Sequence, residues 1–166
     1  MRLVNGGRGF VRSGRRDRFH LTVVWSLLGL SRLVILLLPF RVVRRLLGED
    51  RAAAPVGSAE LRALTPREHA SAVRLGALIL YAAARTPWTS ECYPQALTAR
   101  MLLGVRRIPH QISFGLRRSG DSLAAHCWVR AGDVAVTGGD GRDYTEVATF
   151  LWTPARGDRQ GGSGSG

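Results

Sequence analysis

The hydrophobic period of this chain changes once, near residue 110, and that change constrains the fold more than any other feature. Upstream, apolar residues recur at helical spacing; downstream they alternate. Ile112, Phe114 and Leu116 share one side of a strand, with Gln111, Ser113 and Arg117 on the other. Arg118-Ser119-Gly120-Asp121 turns the chain. Leu123 to Arg130 is a second strand, with Leu123, Ala125, Cys127 and Val129 on one face and Ala124, His126, Trp128 and Arg130 on the other. Ala131-Gly132-Asp133 is a tight turn into a third strand, Val134 to Thr137. Helices followed by a run of strands predict an α+β fold, with N-terminal helices packed on a small antiparallel meander.

Three helices precede the switch. The most apolar stretch is 21–40, long enough to span a bilayer. Arg32 lies inside it, and an arginine at mid-membrane depth costs several kcal/mol. Arg15, Arg16 and Arg18 precede it and Arg41, Arg44 and Arg45 follow, so the flanks set no orientation. A packed amphipathic helix is the first reading, a membrane-surface helix the second and a true span the third. Pro39 ends or kinks the helix, and Val42, Val43, Leu46 and Leu47 add a short turn closed by Gly48. Residues 49–64 read as a loop broken by Pro55 and Gly57.

Thr65-Pro66-Arg67-Glu68 is a helix-start signature. It opens a helix to about Arg85, with Ala72, Leu75, Ile79 and Ala82 or Ala83 buried, and Thr86-Pro87 stops it. The third helix starts at Cys92 or Tyr93, with Pro94 in its first turn, Ala96, Leu97, Met101 and Leu103 along it and Gly104 as its C-terminal cap.

A chain of 166 residues supports one ordinary core. We read residues 1–18 as a disordered Arg/Gly-rich N-terminus, 19–155 as a single domain and 156–166 as a flexible Gly/Ser tail. The net charge is +12, and every basic residue is arginine, a pattern that a GC-rich coding bias also produces. No aromatic-interleaved basic stretch accompanies the charge, which argues against nucleic acid and for an anionic membrane surface or an acidic peptide. Two cysteines make no disulfide framework, and the lack of a cleavable signal peptide points to the cytoplasm.

The chemistry gathers on Cys92 and His126. A thiol at a helix start is acidified by the helix dipole, and an imidazole on a neighbouring strand serves as its base. Cys127 follows His126 on one strand, so the two side chains point to opposite faces and Cys127 reads as a small buried hydrophobe. The same alternation disfavours the rival zinc site of Cys92, Cys127, His110 and His126, for which no metal-ligand spacing exists, and no metal or cofactor is expected. His20, His69 and His110 read as surface or structural residues.

A catalytic histidine needs an acceptor for its second nitrogen. Asp140 is the first candidate and Asp143 the second; Asp133 sits too near the hairpin tip. A regular ladder sets His126 opposite Gly139 or Thr137, so Asp140 needs a bulge at Gly138-Gly139 to reach it. The Cys92 backbone N–H is the first oxyanion donor and the Trp88 indole a second.

Pro87-Trp88, Cys92, Pro94-Gln95-Ala96-Leu97 and Leu102, then Ser113-Phe114-Gly115-Leu116 and Ala125-His126-Cys127-Trp128-Val129, resemble the transglutaminase-like cysteine protease of lasso-peptide biosynthesis. The similarity covers roughly residues 20–152, with Tyr93, Cys127 and Arg130 replacing the family's usual Leu, Ala and Glu. It implies a papain/transglutaminase-like fold and a peptidase that cuts the leader from a ribosomally made precursor. Carried over, Cys92 is the nucleophile and His126 the general base; the family's aspartate falls where this chain has Gly138, leaving Asp140 as substitute. The resemblance also implies two partners, a separate leader-recognition protein and an asparagine-synthetase-like macrolactam cyclase. Two readings compete: another acyl-transfer enzyme on the same fold, and a non-catalytic, basic peptide- or membrane-binding module.

Overall fold

The computed structural model describes residues 15–37, 61–88, 90–120 and 122–154. The turn expected after Pro39, the first part of the 49–64 loop and the C-terminal tail lie outside the described residues. Helix α1 (Arg15–Leu37) takes in four residues that the sequence reading gave to the disordered N-terminus. No proline interrupts the chain between Arg15 and Leu37, so the helix propagates upstream of the apolar run. Val24, Leu28 and Ser31 of α1 are buried, and Leu21, Val34 and Ile35 pack against the core. Its outer side is apolar as well: Leu30, Leu33, Leu36 and Leu37 are about half exposed or more. Phe19–Leu37 is long and apolar enough to cross a membrane by length and composition, yet one side of it packs on the protein.

Helix α2 (Pro66–Ala83) starts at the predicted cap. The Glu68 N–H donates to the Thr65 hydroxyl (3.3 Å), and the Thr65 N–H donates to the Glu68 carboxylate (2.9 Å), so two otherwise orphaned donors are satisfied reciprocally. Arg62 clamps the same carboxylate at 2.6 and 2.9 Å and, with the Thr65 N–H, holds it down at about 2. The buried face is Ala72, Leu75, Leu78, Ile79 and Ala82, close to expectation.

Helix α3 (Cys92–Val105) runs through Gly104, which therefore does not cap it. The stop lies further on. Arg106 is the cap, Arg107 takes the left-handed conformation (φ 53°), Ile108 N–H donates to Leu103 O (3.0 Å) and Arg107 N–H to Gly104 O (2.9 Å). The buried Ile108 and Leu103 side chains hold this paired-bond stop in place. A buried Ser31–Thr98 hydroxyl pair, 3.1 Å apart, ties α1 to α3.

The sheet contains four antiparallel strands in the order β3-β2-β1-β4: β1 His110–Ser119, β2 Ser122–Ala131, β3 Val134–Thr137 and β4 Thr145–Trp152. The sequence reading anticipated the first three; β4 pairs on the far edge of β1. Gly115 stands opposite His126 across β1 and β2. Between β2 and β3, Ala131 pairs with Val134 and Arg130 with Ala135, but Val129 pairs with Thr137. The bulge thus falls at Val136 inside β3, and the expected bulge at Gly138-Gly139 is not needed. Cys127, Val129 and Ala131 of β2 meet Leu97, Ala99 and Leu103 of α3 and Leu75 and Ile79 of α2 in one core.

Candidate active site

Cys92 is the first residue of α3. A braced loop delivers it there. The Thr86 hydroxyl lies 2.9 Å from the Ala83 carbonyl, 2.8 Å from the Trp88 carbonyl and 2.9 Å from the Ser90 hydroxyl. The Gln95 amide reaches back from α3 to donate to Ser90 O at 2.7 Å. Glu91 takes the N-cap position but its side chain makes no cap bond, so the helix N-terminus keeps unsatisfied N–H groups beside the thiol.

The thiol is partly buried and held down at about 5. Its first cause is a hydrogen bond from the Cys127 side chain; the Cys127 backbone N–H and His126 add to it, against the opposing effect of burial. The Cys127 thiol is pushed far above its ordinary range by the facing Cys92 sulfur and by deeper burial. The negative charge of the pair therefore resides on Cys92.

Cys127 is buried as expected, but it does not point away from the site. Alternation still sends His126 and Cys127 to opposite faces of β2. Cys92 sits at the edge of β2, beyond the end of its short ladder with β3, and accepts from a main-chain N–H there. A sulfur at a strand edge reaches side chains from both faces.

His126 Nε2 lies 2.8 Å from the carbonyl oxygen of Gly138. A carbonyl only accepts, so Nε2 carries the proton and donates, and Nδ1 is left for the sulfur. Gly138 has φ 75°, and a Cβ on it would lie 2.3 Å from Cys127 O and 2.7 Å from Trp128 Cα. No residue with a side chain fits there, so a carboxylate at that position is excluded by backbone contact. Aromatic rings enclose the imidazole. Tyr144 stacks on it at 4.8 Å between centroids and 29° between planes, and Trp128 lies at 6.2 Å and 24°.

The structure does not bring Asp140 to His126. Its carboxylate pairs with Arg142 at 3.0 Å and accepts from the Arg142 backbone N–H at 3.3 Å, in an exposed turn. The β3 bulge does bring residue 140 into phase with 126, but the strand ends at Thr137 and the chain turns away first. Asp143 is also exposed. Trp88 packs on α1, with its ring 4.7 Å from that of Trp25 and close against Gly29. Its indole Nε1 is buried and has no hydrogen-bond partner among the described residues.

His110, a member of the disfavoured rival zinc set, is fully buried elsewhere. Its Nδ1–H donates to Ile108 O at 2.9 Å, its ring stacks on Trp152 at 5.2 Å, and burial pushes it down to about 4. That histidine is neutral and structural. Cys92 opens on a cleft of about 360 Å³ between α1 and the start of α3, walled by Arg32, Ile35 and Leu36 on one side and by Glu91 and Tyr93 on the other. The sequence reading missed three contributors here: the Gly138 carbonyl, the Tyr144 ring and the α1 wall. Only Arg32, a charge inside an apolar run, signalled itself.

The arrangement can perform nucleophilic acyl transfer: an ionised thiol, an imidazole at its side and a main-chain acceptor behind the imidazole. Residues 34–149, most of the chain and both Cys92 and His126 among them, match the pattern of the transglutaminase-like superfamily. No curated protein and no solved structure matches the chain.

Proposed function

Because the chain belongs to the transglutaminase-like superfamily, we propose that it is a cysteine peptidase that removes the leader from a ribosomally made lasso-peptide precursor. The observation that carries this reading is the meeting of Cys92, at the start of α3 and on the cleft, with His126 of β2, whose Nε2 is held by Gly138 O at 2.8 Å. The local resemblance around Cys92 and His126 supplies the substrate class.

In this reading the Cys92 thiol passes its proton to His126 Nδ1, and the resulting thiolate attacks the carbonyl carbon of the scissile bond. The Cys92 N–H steadies the oxyanion, and the unpartnered indole N–H of Trp88 is its proposed second donor. His126 protonates the leaving amine as the C–N bond breaks, leaving a thioester on Cys92. It then takes a proton from water, whose oxygen attacks the thioester and releases a carboxylic acid. The apolar and basic wall of α1 along the cleft offers a track for an extended peptide. A separate recognition protein delivers the leader, and a macrolactam cyclase takes the trimmed core. The proposed setting is the cytoplasm, with α1 resting on a membrane surface.

The test is cleavage of a candidate precursor in the presence of its recognition protein, followed by mass spectrometry. The wild type is expected to release leader and core, and Cys92→Ala and His126→Ala each to abolish release while leader binding persists. Robust cleavage by either variant contradicts the assignment. A product joined to an amine instead of water shifts the function to a transferase on the same fold.

A further inference from the structure

Triads of this chemistry place a side-chain carboxylate or amide behind the imidazole. Here the turn between β3 and β4 does something else. Its first residue, Gly138, offers a main-chain carbonyl to His126 Nε2 at 2.8 Å. Its last, Tyr144, lays its ring on the same imidazole. Within the turn, the Tyr144 N–H donates to Gly141 O at 3.0 Å, which fixes the last four residues, the ones that carry the Tyr144 ring. From the strand side, Gly115 leaves the space that Tyr144 and Trp128 fill, since a Cβ there would lie 2.8 Å from both side chains. The Arg117 guanidinium, on β1, covers the far face of this group at 5.0 Å from the Tyr144 ring.

We infer that the turn Gly138–Tyr144 replaces the triad carboxylate: the Gly138 carbonyl fixes the tautomer of His126, and Tyr144 is a positioning residue that holds the ring plane towards Cys92. This rests on the proposed Cys92–His126 chemistry. A carbonyl supplies direction without a full charge, so the imidazole is oriented while its cation is stabilised less than a carboxylate would allow. A second constraint on the ring plane then matters, because one hydrogen bond leaves the imidazole free to rotate about its axis. Two flat partners, Tyr144 and Trp128, remove that freedom. The charged groups around this unit are Cys92 from α3, Arg117 from β1, the Asp140–Arg142 pair of the turn itself and Glu146 of β4, which is level with His126 across Gly115 and whose carboxylate accepts from the Thr149 hydroxyl. The Asp140 carboxylate is already engaged by a guanidinium.

The experiment compares Tyr144→Ala, Tyr144→Phe, Asp140→Asn and Asp143→Asn with the wild type in two readouts. One is kcat and KM for precursor cleavage. The other is the rate of Cys92 alkylation by iodoacetamide across pH, which needs no substrate and so survives a wrong choice of precursor. Tyr144→Ala is expected to lower kcat about tenfold or more with KM within about twofold, and to slow alkylation near neutral pH. Tyr144→Phe keeps the ring and is expected to restore both to within about threefold. Both aspartate variants are expected to stay within about twofold of the wild type. Collapse of kcat or alkylation in Asp140→Asn or Asp143→Asn overturns the inference, and so does wild-type behaviour of Tyr144→Ala. Should Tyr144→Ala fail to fold, the exposed aspartate variants decide alone. If the wild type cleaves no precursor yet alkylation follows the expected order, the peptidase reading falls and the positioning unit stands.

Discussion

At the scale of single residues, the account turns on where a negative charge resides. Cys92 and Cys127 face each other, and Cys92 carries the charge because it is less buried, stands at a helix start and touches His126. A thiol lowered to about 5 is ionised above that pH and loses its charge as pH falls through it. Removal of the Cys127 thiol, the strongest donor to Cys92, should undo part of this. Cys127→Ala is expected to raise the midpoint of Cys92 alkylation above 5 while leaving the protein folded, and an unmoved midpoint would show that the neighbouring thiol contributes nothing. The sequence disclosed Cys92 and His126 because helix start and strand parity are local properties. It did not disclose that both strand neighbours reach one sulfur, since parity describes faces and Cys92 lies at an edge. Nor did it disclose a carbonyl acceptor: every residue has a carbonyl, so none stands out in a sequence.

Among the elements, those with side-chain punctuation were legible and those closed by the main chain were not. Thr65, Pro66 and Glu68 announce α2, and the capping box forms as written. Thr65→Ala should cost about 1 kcal/mol, read as a lower urea midpoint with unchanged slope. A midpoint equal to the wild type would mean that Arg62 and Glu68 hold the helix start without the hydroxyl. The end of α3 escaped the reading because Arg107, not a glycine, adopts the left-handed turn, secured by burial of Ile108. Strand β4 was missed although Val147, Thr149, Phe150 and Trp152 are strand-forming residues. Its partner β1 is distant in sequence, and β4 joins the sheet beside β1, outside the consecutive hairpins that make a meander visible.

For the molecule as a whole, two features remain after the core is built: an apolar outer side on α1 and an excess of arginine. An interfacial helix needs both, with each basic residue near an anionic surface worth about 1 kcal/mol. The protein is therefore expected to co-sediment with vesicles containing phosphatidylserine at low salt and to dissociate at high salt, with Leu33→Glu weakening binding. Partition unaffected by lipid charge would remove the membrane from the account. The α+β architecture itself was legible from one switch of period, because layer order follows from which periodicity comes first. The central claim, that Cys92 hydrolyses a peptide bond with His126 as its base, has a direct test in cleavage of the precursor in ¹⁸O-labelled water. The account predicts one heavy oxygen in the new leader carboxylate with the wild type and no product with Cys92→Ala. An unlabelled or amine-linked product, or undiminished cleavage by Cys92→Ala, would contradict it.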